Sequence, residues 1–279
     1  MKIRMIVDST TDLMPEHKQR VQVVPLTVRF GEEEYIDGVT IDHNTFYQKL
    51  VETDVLPTTS QATPAGFAKQ FQQAKEANEA CIVITLASKL SGTYQSATLA
   101  AQDYENVYVI DSETAAVGTG ILTELAFTYI DQGMDAQTVV AKIEEAKKKI
   151  VIVALVDTLE YLQKGGRLSK TAAFAGTILN IKPVLSVIAG KINVLGKAMG
   201  SKRGNNLLVQ EIEKAGGIDF TKPVLLGYSG LSNALLLKYI EDSRPLWEND
   251  LNEVRYATLG SVIGTHAGPG AVAVAFFKK

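Results

Sequence analysis

The stretch CIVITLASKLSGTYQSATLA, residues 81–100, opens as an apolar run rich in β-branched side chains and closes on Ala97, Leu99 and Ala100, followed by Ala101, at helical spacing. The first half suits a strand covered on both faces, and the second suits a helix for which Ser91 stands at the expected N-cap. Between them lie four uncharged hydroxyls, on Ser88, Ser91, Thr93 and Tyr94. A helix that starts at the C-terminal end of a parallel strand directs free N–H groups and its positive dipole end into the crevice where open α/β sheets bind ligands. The loop is therefore a candidate anion site, set against the plainer reading of Ser91 as a helix cap.

The same strand-to-helix alternation recurs outward from this stretch, in IRMIVDSTTDLMPEHKQ at the N-terminus and in VYVIDSETAAVGTGILTELAFTYI from Val107. Three such units predict a parallel sheet with crossover helices. Two of them carry almost the same edge, VDSTT and IDSETA, which gathers hydroxyls and carboxylates along one rim. An excursion at about 22–56 reads as two strands about a polar turn at Gly31 to Glu34, then a helix. After it, Pro57 and Pro64 bracket a second hydroxyl loop, Thr58, Thr59, Ser60, Gln61 and Thr63, with Thr63 placed to cap a helix from Pro64.

Beyond a charged helix at about 136–149 the pattern changes. It gives a strand, a helix ended by Gly165-Gly166, another helix, and a hairpin turning at Ala189-Gly190-Lys191. Later strands are expected at 223–229, 253–258 and 271–277, with helices at about 204–215 and 232–246. The expected architecture is an α/β protein of two domains, a parallel-sheet domain over 1–154 and an α+β domain over 155–279, with a cleft between them.

With 279 residues, 46% of them hydrophobic, the chain can bury a large core. A formal net charge of -3 without blocks of like charge argues against nucleic-acid binding. The N-terminal apolar run is interrupted at Asp8, too soon for a signal peptide or membrane span, which points to the cytoplasm. The single cysteine, Cys81, reads as a buried inert thiol. His17, His43 and His266 lie far apart, so no metal site is expected, and no cofactor motif is present. His17 reads as solvent-facing, whereas His266 sits in the glycine-rich stretch GTHAGPGAV and Arg167 follows Gly165-Gly166. Ser91 lacks a nucleophile elbow, because Leu90 stands two residues before Gly92. A hydrolase or acyltransferase with Ser91 as nucleophile and His266 as base is the alternative kept open.

Taken together, DSTTDL, TTSQATP, LSGTYQSA, IDSETA, LQKGGRLS, KPVL and GTHAGPGA make the sequence resemble the DegV family over nearly its whole length. The resemblance implies a protein enclosing one long-chain fatty acid, with its carboxylate at the domain junction and its tail in an apolar tunnel. It assigns the carboxylate to Thr59, Ser60, Ser91 and the Gly92 N–H. It implies a partner as well, an ATP-binding fatty acid kinase subunit that phosphorylates the carboxylate, with His266 and Arg167 near the phosphotransfer face. The chain itself is then a non-catalytic lipid-binding subunit with at most transient membrane contact and no cofactor. One departure stands out: family members carry an arginine in the ribbon strand where this chain reads GKAMGSKRG, so Met199 replaces it and Arg203 is the candidate substitute. A binding protein without any kinase is the third reading.

Overall fold

The computed structural model describes residues 1–168, 180–248, 251 and 253–279. The helix expected after Gly166 falls on 169–179, outside the described residues. In chain order the first half runs β1 (Lys2–Asp8), α1 (Pro15–Lys18), β2 (Val21–Val24), β3 (Thr27–Phe30), β4 (Glu33–Ile36), α2 (His43–Glu52), β5 (Thr58–Ser60), α3 (Pro64–Glu76), β6 (Glu79–Thr85), α4 (Thr93–Ala101), β7 (Val107–Asp111), α5 (Val117–Asp131) and α6 (Ala136–Ala146). The second half runs β8 (Ile150–Leu155), α7 (Glu160–Lys164), β9 (Ile181–Ile188), β10 (Lys191–Met199), α8 (Ser201–Lys214), β11 (Leu225–Tyr228), α9 (Ala234–Asp242), β12 (Tyr256–Thr258), α10 (Ser261–Ala267) and β13 (Val272–Phe277).

The first sheet is parallel, in the order β2-β1-β6-β7. Within the excursion, Val21–Val24 is the edge strand of this sheet; Pro25, which has no N–H to continue a ladder, separates it from β3. A small antiparallel sheet, β4-β3-β5, takes up β3, the hairpin partner β4 across Gly31, and the Thr58–Ser60 part of the second hydroxyl loop. The other large sheet has the order β10-β9-β8-β13-β11-β12 and is mainly antiparallel. Its strand β8 spans Ile150–Leu155, so the chain enters the second sheet at Ile150 rather than after residue 154.

The helix α5 binds the halves together. Every residue from Val117 to Phe127 is buried, the pattern of a helix with no solvent face. One apolar core holds Val7, Ile82 and Ile84 of the first sheet, Ile121 and Leu125 of α5, and Ile152, Leu225 and Ala275 of the second sheet. The opposite face of the second sheet packs Val153, Leu155 and Val274 against Leu208 and Ile212 of α8 and Leu236 of α9. Cys81 is buried in β6, and burial pushes its thiol up to about 11, which keeps it unreactive.

Candidate functional site

In the parallel sheet the chain leaves β1 toward β2 and leaves β6 toward β7, so the loops after β1 and β6 part at the sheet's C-terminal rim. Buried Asp8 holds them there. Its Oδ2 accepts from Leu86 N at 2.8 Å, and its Oδ1 accepts from Thr10 N at 2.9 Å and Thr10 Oγ1 at 2.5 Å. Burial raises its carboxyl to about 6 in spite of these bonds. Asp111, ending β7, accepts from Ser88 N at 3.1 Å and Glu113 N at 3.0 Å. The 86–92 loop is thus held from both neighbouring strands.

The N-cap of α4 is Gly92, with Ser91 one residue before it. The Ser91 hydroxyl instead pairs with Thr93 Oγ1 at 3.0 Å and accepts from Thr93 N at 3.3 Å. Thr93 Oγ1 in turn accepts from Ala62 N at 3.2 Å, joining the two hydroxyl loops. Gln61 lies across Gly92, where a Cβ would come within 2.0 Å of its Oε1, and its Nε2 donates to Ser96 Oγ at 2.8 Å.

These loops open on a cavity of about 970 Å³, part of it open to solvent. Thr59, Gln61, Ser91, Arg167 and His266 supply polar groups. Apart from Ser186, the remaining wall is apolar: Leu26, Leu86, Leu90, Ala115 and Ala116 come from the first half. The second sheet contributes Ile152, Ala154 and Val156 of β8 and its continuation, Leu185 and Val187 of β9, and Ala273 of β13. The β8 residues alternate, as a strand with one face on a cavity requires, whereas β9 lines the cavity with the consecutive residues Leu185, Ser186 and Val187.

His266 is on the last turn of α10 rather than on a glycine loop, and Gly268 ends that helix with φ +71°. Its Nε2 lies 3.0 Å from Thr59 Oγ1. The ring rests on Gly165, whose missing Cβ would meet Nδ1 at 2.3 Å, and Nδ1 is buried without a partner. Burial first, and nearby Arg167 second, lower the imidazole to about 4, so it is neutral at neutral pH. Arg167 donates from Nε to Leu90 O at 3.1 Å and from a terminal nitrogen to Gly165 O at 2.7 Å. Burial alone pulls its guanidinium below the ordinary range, and among the described residues no carboxylate pairs with it. The polar group of the cavity is therefore rich in donors and short of negative charge.

Four expected residues, Thr59, Ser91, Arg167 and His266, meet at this cavity. Ser60 points to solvent, as the residue after an inward Thr59 in a strand must. Gly92 abuts Gln61 behind the wall, and Gln61, inside the motif TTSQ, takes a place that sequence reasoning gave to Ser60. Arg203 is exposed in the first turn of α8, and Met199 is 57% exposed at the end of β10; neither lines the cavity. His17, expected in solvent, faces buried Glu124 at 3.7 Å and packs at a tilt against Phe127. Ser91 and His266 bond to other groups, and the charged neighbour of His266 is an arginine where a catalytic base needs an orienting carboxylate. Ser91 and His266 thus form no nucleophile–base pair with each other. Among the described residues no three His, Cys, Asp or Glu side chains are grouped to hold a metal, and no helix is long and apolar enough to cross a membrane.

The family model described as uncharacterised protein, DegV family, matches residues 2–279. A DegV domain-containing protein of Caldanaerobacter subterraneus is 34% identical over 285 residues, covering 100% of this chain and 99% of its own. Among solved structures, a DegV family protein from Thermus thermophilus described for fatty acid binding is 31% identical, with a TM-score of 0.87 over 99% of this chain and 100% of that one. A stearic acid-binding protein from Eubacterium ventriosum is 27% identical, with a TM-score of 0.88 over 100% of this chain and 99% of that one.

Proposed function

The chain belongs to the DegV family, and from that membership we propose that it binds one long-chain fatty acid in the cytoplasm and presents its carboxylate to an ATP-binding kinase subunit. The observation that carries the binding is the cavity itself, with donors at Thr59, Gln61, Ser91, Arg167 and His266 and, apart from Ser186, hydrocarbon walls elsewhere. A carboxylate there accepts from hydroxyls, from the free guanidinium N–H groups and from imidazole in its Nε2–H tautomer, and supplies the negative charge that Arg167 lacks. Each methylene buried along the apolar wall contributes ~0.8 kcal/mol, so the tail supplies most of the affinity.

In the kinase step, a carboxylate oxygen bonds to the γ-phosphorus of ATP held by the partner, the bond from that phosphorus to the β-bridging oxygen breaks, and ADP leaves. Neutral His266 orients the acyl group by hydrogen bonding, and Arg167 offsets negative charge as the phosphoryl group approaches. Met199 and Arg203, on the surface, bear on docking and not on holding the lipid.

Organic extraction of purified protein, followed by lipid analysis, tests the first half: about one fatty acid per chain is expected. Protein that yields none and takes up none on reloading overturns it. Acyl-phosphate formation with a kinase recovered by pull-down tests the second half.

A further inference from the structure

Behind Ser91, on the first residue of α4, stands the hydroxyl of Thr93, which is fully buried. Thr93 Oγ1 accepts from Ala62 N at 3.2 Å and lies 3.0 Å from Ser91 Oγ. Ser91 Oγ also accepts from Thr93 N at 3.3 Å. A threonine that opens a helix can turn both its N–H and its hydroxyl onto one oxygen two residues back, which is the spacing in LSGTY. The Ser91 backbone is held too, its N–H donating to Ala87 O at 3.3 Å.

The bond between the two hydroxyls has two directions, and counting hydrogens separates them. Suppose Ser91 donates to Thr93. Both lone pairs of Thr93 Oγ1 are then filled, by Ala62 N–H and by Ser91, and the Thr93 hydrogen is left over. Among the described residues no other acceptor bonds to Thr93 Oγ1, so a donor is orphaned at a fully buried site, the costly arrangement. With the direction reversed, nothing is wasted. Thr93 N–H and Thr93 O–H fill both lone pairs of Ser91 Oγ, and the hydrogen of Ser91 is left for the cavity that this residue lines.

We infer that Thr93 is a positioning residue that fixes Ser91 as a hydrogen donor, through a relay from Ala62 N–H to Thr93 to Ser91. It thereby sets the head group that the cavity takes, an ionised carboxylate in preference to an alcohol of the same chain length. The choice rests on the fatty acid reading proposed above and gives it a cause. An ionised carboxylate only accepts, which matches a hydroxyl held as a donor; an alcohol brings a hydrogen of its own, and Ser91 has no lone pair left for it. Each donor in the relay polarises the next, so the hydrogen that reaches the ligand is strengthened from behind. Arg167, another donor, lines the same cavity.

The test compares dodecanoate with 1-dodecanol at neutral pH, by calorimetric titration of the delipidated full chain as wild type, Thr93→Val and Thr93→Ser. Wild type should prefer the acid. Thr93→Val removes the hydroxyl at nearly constant shape and should narrow the ratio of the two affinities at least ~10-fold, which is ~1.4 kcal/mol. Thr93→Ser should restore the ratio. A purely structural part for Thr93 weakens both ligands alike, and an unchanged ratio overturns the inference. A second readout needs neither a variant nor a lipid. In NMR spectra of lipid-free wild type, the Thr93 hydroxyl hydrogen should exchange slowly with water and show a nuclear Overhauser effect to the Ser91 β-hydrogens, while the Ser91 hydroxyl exchanges fast. A protected Ser91 hydroxyl beside an exchanging Thr93 hydroxyl overturns the relay. If neither ligand binds, the fatty acid reading fails, and the hydroxyl signals still decide the direction of the bond.

Discussion

Gly165 shapes the cavity by having no side chain. A methyl group there would overlap the imidazole of His266, so Gly165→Ala is expected to push the ring off Thr59 toward water. The fold should survive, and the His266 pKa should climb from about 4 toward 6.5, read by NMR titration. An unmoved titration would show that the ring is fixed by other contacts. Ser91→Ala should lose ~1–3 kcal/mol of fatty acid affinity, because one donor to a buried carboxylate goes. The lipid-free form should also lose roughly 0.5–2 kcal/mol of stability, since Ser91 Oγ accepts from Thr93 N at the start of α4; a fall in stability with affinity intact would leave Ser91 a structural part only. His266→Gln addresses pH. The folded pKa of His266 lies below 6.5, so its neutral form contributes stability that is present above 6.5 and lost as pH falls through about 4. Asp8 runs the other way: raised from 3.8 to about 6, it contributes stability present below 3.8 and lost as pH rises through about 6. Urea unfolding of lipid-free protein should therefore show the variant gaining on wild type as pH is lowered from 6.5 to 4, and parallel profiles would refute this. Thr59, Ser91, Arg167 and His266 were legible as polar groups in short motifs. Gln61 in place of Ser60 was not, because a three-residue strand inside TTSQ leaves no period to read, and the bearing of Gly165 on His266 joins residues 101 positions apart.

Among the elements, the hairpin of β9 and β10 is the plainest case of local chemistry setting structure. Ala189 and Gly190 have φ of +47° and +75°, the left-handed pair of a two-residue turn, and the turn was expected at this place. An alanine there carries a steric cost that glycine does not, so Ala189→Gly should stabilise the protein by ~1 kcal/mol. The denaturation midpoint should rise at constant slope; a fall would mean that the Ala189 methyl contributes more than its backbone costs. The tip is docked across the molecule, with Lys89 Nζ donating to Ala189 O at 2.9 Å and Gly190 N donating to Glu113 O at 2.9 Å. Strands and helices with a clean period were readable, including the parallel units and the late strands. The break at Pro25 and the helix α10 were harder. A four-residue edge strand running into a proline resembles one long strand, and seven helical residues followed by GPG resemble a loop.

At the scale of the molecule, a chain read as two domains shares one core through α5. Its sequence, VGTGILTELAF, looks like any crossover helix, and nothing local reveals that its second wall is built from residues beyond 150. A fragment ending at Lys149 should therefore fail to give a native core. Poor NMR dispersion and dye-binding apolar surface are expected, while a well-dispersed spectrum would establish an independent domain. In the full chain, heat should unfold both halves in one transition, with calorimetric and van't Hoff enthalpies in agreement. The strand β13 gives this arrangement a further meaning. It is the last strand of the chain, yet it lies between β8 and β11, and Ala273 on it closes part of the cavity wall. A chain that lacks that strand leaves the second wall of α5 uncovered, and the apolar cavity loses part of its lining with it.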